Sequence, residues 1–112
     1  MIARIWHGKV PSAKAQDYHA CLLATGLPGY ANVKGNRGVS LLKKEEGDIT
    51  HYYTLTYWDD IDAIKRFAGK DYEKARYYPE DKYYLLEFEP LVTHYEVLEH
   101  FCNPNNSKEM QL

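Results

Sequence analysis

Hydrophobic positions along this chain change period several times, and each change marks an element. From Ile49 to Trp58, ITHYYTLTYW, nearly every residue is β-branched or aromatic, the composition of a packed strand. Ile61, Ile64, Phe67 and Ala68 then recur at helical spacing. Asp59 or Asp60 stands where a carboxylate accepts a hydrogen bond from a free N–H of the first turn, and Gly69 stands where a missing Cβ closes a helix. Ahead of this pair, residues 2–8 (IARIWHG) alternate as a strand, with Ala3, Ile5 and His7 on one side and Ile2, Arg4 and Trp6 on the other. Pro11 and Ser12 open a helix whose face carries Ala15, Tyr18, Cys21, Leu22 and Thr25, and Gly26, Leu27 and Pro28 stop it. Residues 29–38, rich in Gly and Asn, read as a loop that presents Arg37; residues 39–44 read as a strand and 45–48 as a hairpin turn around Gly47. Residues 71–78 read as a short helical piece ended by Pro79, residues 81–89 fit no single period, and residues 91–99 alternate as a last strand.

The resulting order is strand, helix, strand, strand, helix, strand. With right-handed crossovers it specifies an α+β, ferredoxin-like βαββαβ fold: a four-stranded antiparallel sheet with both helices on one face. The other face is then bare. It carries Ile2, Arg4, Trp6, Tyr52, Thr54, Thr56, Trp58, Val92, His94 and Glu96, or the set one position along, and either set is too aromatic to leave in water. Two such faces packed across a two-fold axis make a homodimer, a dimeric α+β barrel. Residues 1–101 form the domain and residues 102–112 a polar tail.

Composition narrows the classes. A chain of 112 residues suits one domain with one modest core. Net charge is -2, and no basic cluster exceeds Lys43-Lys44 and Lys65-Arg66, so a nucleic-acid footprint is missing. No apolar run reaches the roughly 20 residues that span a bilayer, and Arg4 interrupts any leader-like start. Cys21 and Cys102 read as free thiols, which points to the cytoplasm. Tyr is the unusual residue, with eleven copies; many rings whose hydroxyls need partners suit a wet cavity or an interface.

The stretch TYWDDIDAIKRFAG and the following KDYEKARYY resemble the antibiotic biosynthesis monooxygenase superfamily, dimeric α+β barrel proteins that also include haem-degrading monooxygenases. The resemblance covers about residues 1–99 in element order. The haem-degrading branch uses an Asn on its first strand, a Trp late in its second helix and a His beyond it as iron ligand. His7, Phe67 and Tyr77 fall at those places, so none of the three is retained and the ordinary proximal imidazole is missing. The other branch oxidises phenolic or quinol-like polycyclic molecules with dioxygen and no cofactor. That chemistry needs a base, a mostly dry cavity and donors for the developing oxyanion.

On this resemblance the catalytic candidates are His7 as base on the helix-facing side of the first strand, and Tyr77 and Arg76 as donors to an oxyanion or carboxylate. Trp58, Tyr53 and Phe67 are candidate walls for a small aromatic ligand, with Tyr57 beside them. Each has a plainer reading: His7 as a hydrogen-bonded structural residue, Tyr77 and Arg76 as helix-surface groups, the aromatic stripe as core or dimer interface. No metal is expected, because His51 and His94 have no Cys or carboxylate at ligand spacing, and Glu80-Asp81 reads as a turn. Three functions remain: a cofactor-independent monooxygenase, a dimer that binds or senses a small molecule without turnover, and a haem-binding or haem-degrading protein.

Overall fold

The computed structural model describes residues 1–101 together with Asn103 and Pro104. Strand β1 (Ile2–Pro11) lies antiparallel to β3 (Ile49–Trp58), in register from Ile2 opposite Trp58 to Pro11 opposite Ile49. Strand β2 (Asn36–Glu46) pairs with the other edge of β3, and β4 (Thr93–Glu96) with the other edge of β1, which gives the order β2-β3-β1-β4. This is the expected ferredoxin-like α+β sheet. The β2–β3 hairpin turns at Gly47, whose φ of 60° is left-handed backbone that favours Gly.

A short 3-10 turn leads into helix α1 (Ala15–Ala24), and α2 (Gly26–Ala31) follows directly. Gly26, Leu27 and Pro28 therefore start a helix instead of ending one. Pro28 sits in the first turn of α2, where a missing N–H leaves no helical bond unmade, so the proline is tolerated. The loop predicted over residues 29–38 shrinks to the few residues between Ala31 and Asn36. Helix α3 (Ile61–Ala68) forms as its pattern predicts: Asp60 Oδ1 accepts from the Ala63 amide at 2.9 Å, and Gly69 closes it at φ 85°.

Residues 71–78 are not helical. The Ala75 amide donates to the Pro90 carbonyl and the Val92 amide to the Glu73 carbonyl, both at 2.9 Å, with a bridge between Lys74 and Leu91. This long-range ladder outweighs the local helix propensity of the EKAR segment. A 3-10 helix at Pro79–Tyr83 follows, and the chain then returns along the free edge of β1, where the Leu86 amide donates to the Lys9 carbonyl. Residues 70–92 thus form a strap around one side of the sheet. The last strand is shorter than its alternation predicted, and the predicted tail 102–112 lies outside the described residues apart from Asn103 and Pro104.

Even-numbered positions of β1 and β3 face the helices. Trp6, Val10 and Tyr52 pack with Tyr18 and Leu22 of α1, while Trp58 packs with Tyr30 of α2 and with Ala63, Ile64 and Phe67 of α3. The bare face is consequently the set one position along, carrying Ile5, His7, His51, Tyr53, Leu55 and Tyr57. Both sets were aromatic enough to bury. Side chains alternate with a period of two, so only contact with the helices decides between them.

Candidate functional site

The helix-facing side of the sheet encloses a small cavity. Trp6 and Thr54 form its floor, Tyr18, Leu22, Gly26 and Tyr30 its helical wall, and Arg76, Tyr78 and Asp81 of the strap its roof. Its volume is about 20 Å³, room for roughly one water molecule.

Polar groups in this cavity are unusually buried. Asp81 is 5% exposed. Its Oδ1 accepts from the Tyr18 hydroxyl at 3.0 Å and its Oδ2 from the Tyr78 amide at 2.7 Å. Burial pushes the carboxyl above the usual range, against the pull of those two donors. Tyr18 is pushed up as well, first by burial and then by Asp81, so its hydroxyl keeps its proton and donates. The Tyr30 hydroxyl shares a hydrogen bond of 3.1 Å with Thr54. The Trp6 indole N–H is buried without a well-formed hydrogen bond, and the Tyr77 hydroxyl is the acceptor beside it.

Arg76 donates from Nη1 to the Phe67 carbonyl at 3.0 Å and lies over the rings of Phe67 and Tyr78 at 5.0 and 5.3 Å. Among the described residues no carboxylate forms an ion pair with it. Phe67 stacks on Tyr30 at 4.4 Å between centroids and leans on Trp58 at 5.8 Å. Trp58 is fully buried, its indole N–H bound to Thr56 Oγ1 at 2.8 Å. Arg76, Phe67 and Trp58 thus share one region, with Phe67 and Trp58 as packed core behind the cavity.

The remaining sequence-derived candidates lie elsewhere. His7, expected to face the helices, is on the opposite side of the sheet, because its neighbours Trp6 and Gly8 take the inward positions. Its Nδ1 lies 2.5 Å from Glu89 Oε2, its Nε2 lies 2.8 Å from His51 Nδ1, and its ring stacks on Tyr53 at 4.7 Å. Tyr53 is therefore on the bare face too. Tyr77 stands at the sheet edge with its hydroxyl committed to the Glu89 carbonyl at 2.6 Å and its ring edge-on to Trp6 and Phe88. Sequence reasoning missed Tyr18, Tyr78 and Asp81. The available signal was Pro79 ahead of Glu80-Asp81, a helix-start pattern in which the acidic side chain reaches back to a free amide.

No protein-family model and no curated protein matches this chain. Solved structures do match. A single-substitution variant of MhuD with two manganese protoporphyrin IX bound per active site superposes with TM-score 0.64 at 18% identity, covering 92% of this chain and all of the other. The haem-degrader MhuD of Mycobacterium tuberculosis with two haems in its active site gives 0.62 at 18% identity, covering 91% of this chain and all of the other. A Bacillus cereus protein described as a candidate antibiotic biosynthesis monooxygenase gives 0.60 at 13% identity, covering 91% and 97%. Among the described residues no helix is long and apolar enough to cross a membrane.

Proposed function

From a chain with the fold of the antibiotic biosynthesis monooxygenase superfamily, we propose a small-molecule oxidoreductase that works in the cleft between sheet and helices, as a cofactor-independent monooxygenase of phenolic or quinol-like aromatic molecules. The observation that carries this reading is Asp81: a buried carboxyl, raised above its ordinary range and held by Tyr18, in a cavity it shares with Arg76. A carboxyl so raised is a better proton acceptor toward a weak acid than an exposed one. Asp81 takes the phenolic proton, and Arg76 holds the resulting anion. The anion is itself the reductant of dioxygen: one oxygen atom enters at a ring carbon as a carbonyl, and the other leaves as water with the hydrogen of that carbon and the proton that Asp81 took up.

A cavity the size of one water excludes the substrate until the strap moves outward. Residues 70–92 are fastened by a few backbone and side-chain bonds instead of a continuous sheet, so they are the segment least costly to displace. His7 and Tyr53, on the far side of the sheet, take no part in this cleft, and the base role passes from His7 to Asp81.

The bare face supports the homodimer. Leu42 and Tyr95 are exposed there beside Ile5, Leu55 and Tyr57, an apolar surface that pairing with a second copy removes. The free Cys21 thiol suits a reducing cytoplasm.

Oxygen consumption with anthrone-type and quinol substrates tests the reading. Uptake by the wild type, lost in Asp81→Asn while ligand binding persists, supports it; uptake undiminished in Asp81→Asn removes Asp81 from the chemistry. Haem binding is the second reading, favoured by the haem and protoporphyrin ligands of the MhuD structures. The cavity residues present no imidazole or thiolate, and of its phenols Tyr18 is bound to Asp81 and Tyr30 to Thr54, so the ordinary proximal ligand is missing. A Soret band on haem titration would reinstate it; the expected result is none.

A further inference from the structure

Arg4 is an arginine without an acid. It is 1% exposed on β1, and its Nη2 donates to the Lys74 carbonyl at 3.2 Å while its Nε has no hydrogen-bond partner. Among the described residues no carboxylate forms an ion pair with it. A buried guanidinium normally keeps a carboxylate or phosphate beside it, because desolvation of the charge is otherwise uncompensated. Here the groups around it are another base and two rings. His94 stands opposite it across β1 and β4, half-buried, with its buried Nε2 also lacking a partner. Phe67 lies under the guanidinium at 5.3 Å, and the Tyr30 phenol faces it.

Arg76 completes the arrangement. Its guanidinium is 5.0 Å from the same Phe67 ring and belongs to the cavity roof. Both arginines therefore lie over one aromatic ring, and both donate to a backbone carbonyl, Arg4 to Lys74 and Arg76 to Phe67, with the Tyr30 phenol a further neighbour of Arg4. Lys74 belongs to the strap. If the strap lifts, Arg4 loses the Lys74 carbonyl and keeps the Tyr30 phenol as a polar neighbour, while the ring and the second guanidinium gain room beside them.

We propose that the ligand of this cleft is an aromatic acid, whose carboxylate replaces the Lys74 carbonyl on Arg4 and lies between Arg4 and Arg76 with its ring system against Phe67. A planar guanidinium matches a carboxylate with two parallel N–H donors, and a stacked ring desolvates the pair and strengthens it. The neutral backbone carbonyl is the weaker acceptor that holds the place in the closed state. This inference rests on the cleft reading above and adds the charge of its ligand.

Calorimetric titration of the purified protein with 2-naphthoate and with its neutral counterpart, 2-naphthalenemethanol, tests it. The wild type is expected to bind the acid at least tenfold more tightly than the alcohol. Arg4→Gln is expected to lose that preference, to keep its affinity for the alcohol, and to melt no lower than the wild type, since an uncompensated buried charge has been removed. Arg76→Gln, at an exposed position, is expected to weaken acid binding in the same direction and carries the test if Arg4→Gln does not fold. Equal affinity for acid and alcohol in the wild type, or a preference kept by the variants, overturns the anionic ligand and leaves the cleft standing. If neither compound binds, the cleft reading fails and the inference falls with it.

Discussion

His7 Nδ1 stands 2.5 Å from Glu89 Oε2, a bond that ties the central strand β1 to the end of the strap. The contact spans 82 residues of sequence. With Nδ1–H donated to Glu89, His7 Nε2 accepts from His51 Nδ1, and the His51 Nε2 that remains has no hydrogen-bond partner and faces Glu46 at 3.6 Å. On the bare side of the sheet, this chain of groups fastens the segment that closes the cleft on the other side.

Glu89→Gln should therefore loosen the strap without touching the cavity. A charge-assisted hydrogen bond that is partly exposed contributes about 1–2 kcal/mol, and a loss of that size is expected on denaturant unfolding. Hydrogen exchange of the Leu86 amide, bonded to the Lys9 carbonyl, is expected to quicken while the β1–β3 amides do not. Uniform acceleration across the sheet would show that the bond acts on the whole fold and not on the strap.

Acid and base act on this fold through opposite signs. Burial raises Asp81, so the folded state prefers its neutral form: the stability from this group is complete below the ordinary value of 3.8 and is lost as pH rises through the raised one. Burial, then Arg4, lowers His94, so its contribution is complete above the ordinary 6.5 and is lost as pH falls through the lowered value. Melting temperature followed across pH is expected to fall on the acid side of 6.5 with a component absent from His94→Gln. The decline that accompanies Asp81 ionisation is expected to vanish in Asp81→Asn. Profiles unchanged by both substitutions would refute these assignments.

Gly8 sits where the sheet, Trp6 and the strap meet. A Cβ there would collide with the Trp6 ring and stand 2.9 Å from Leu85 Cδ2. Gly8→Ala is expected to destabilise by about 1–3 kcal/mol as an overpacked core site. Near-ultraviolet circular dichroism of Trp6 should change with it. A variant of native stability would mean that Leu85 and the strap yield freely.

The bare sheet face gives a solution test. Leu42→Lys places a charge on the proposed dimer surface, beside Tyr53, while leaving the helix side intact. Sedimentation should report a dimer for the wild type and a monomer for the variant, with little change in secondary structure. A monomeric wild type would remove the dimer from the account.

Strand β3, helix α3 with its Asp60 cap, and the element order were legible because each residue's local preference agrees with its tertiary role. Three features were not. Pro28 reads as a stop until Thr25 is seen to break one helix and begin the next, a backbone event with no residue signature. The KARYY segment favours a helix locally and is overruled by pairing with Pro90 and Val92, which propensity does not encode. His7 went to the wrong face because β1 and β3 are aromatic on both sides, so the alternation gave the period without the sign. Arg76, Phe67 and Trp58 lie in one region, whereas Asp81, the group on which the proposed chemistry turns, resembled a turn residue until Tyr18 was brought to it from 63 positions away.

Two-dimensional NMR of the labelled protein titrated with a planar phenol, 2-naphthol, tests the site most directly. Binding in the cleft should move the Trp6 indole N–H and the amides of Gly26, Arg76 and Asp81 together, saturably, and leave His51 and Tyr53 in place. Shifts confined to His7, His51 and Tyr53, or none at all, would contradict a ligand site between the sheet and the helices.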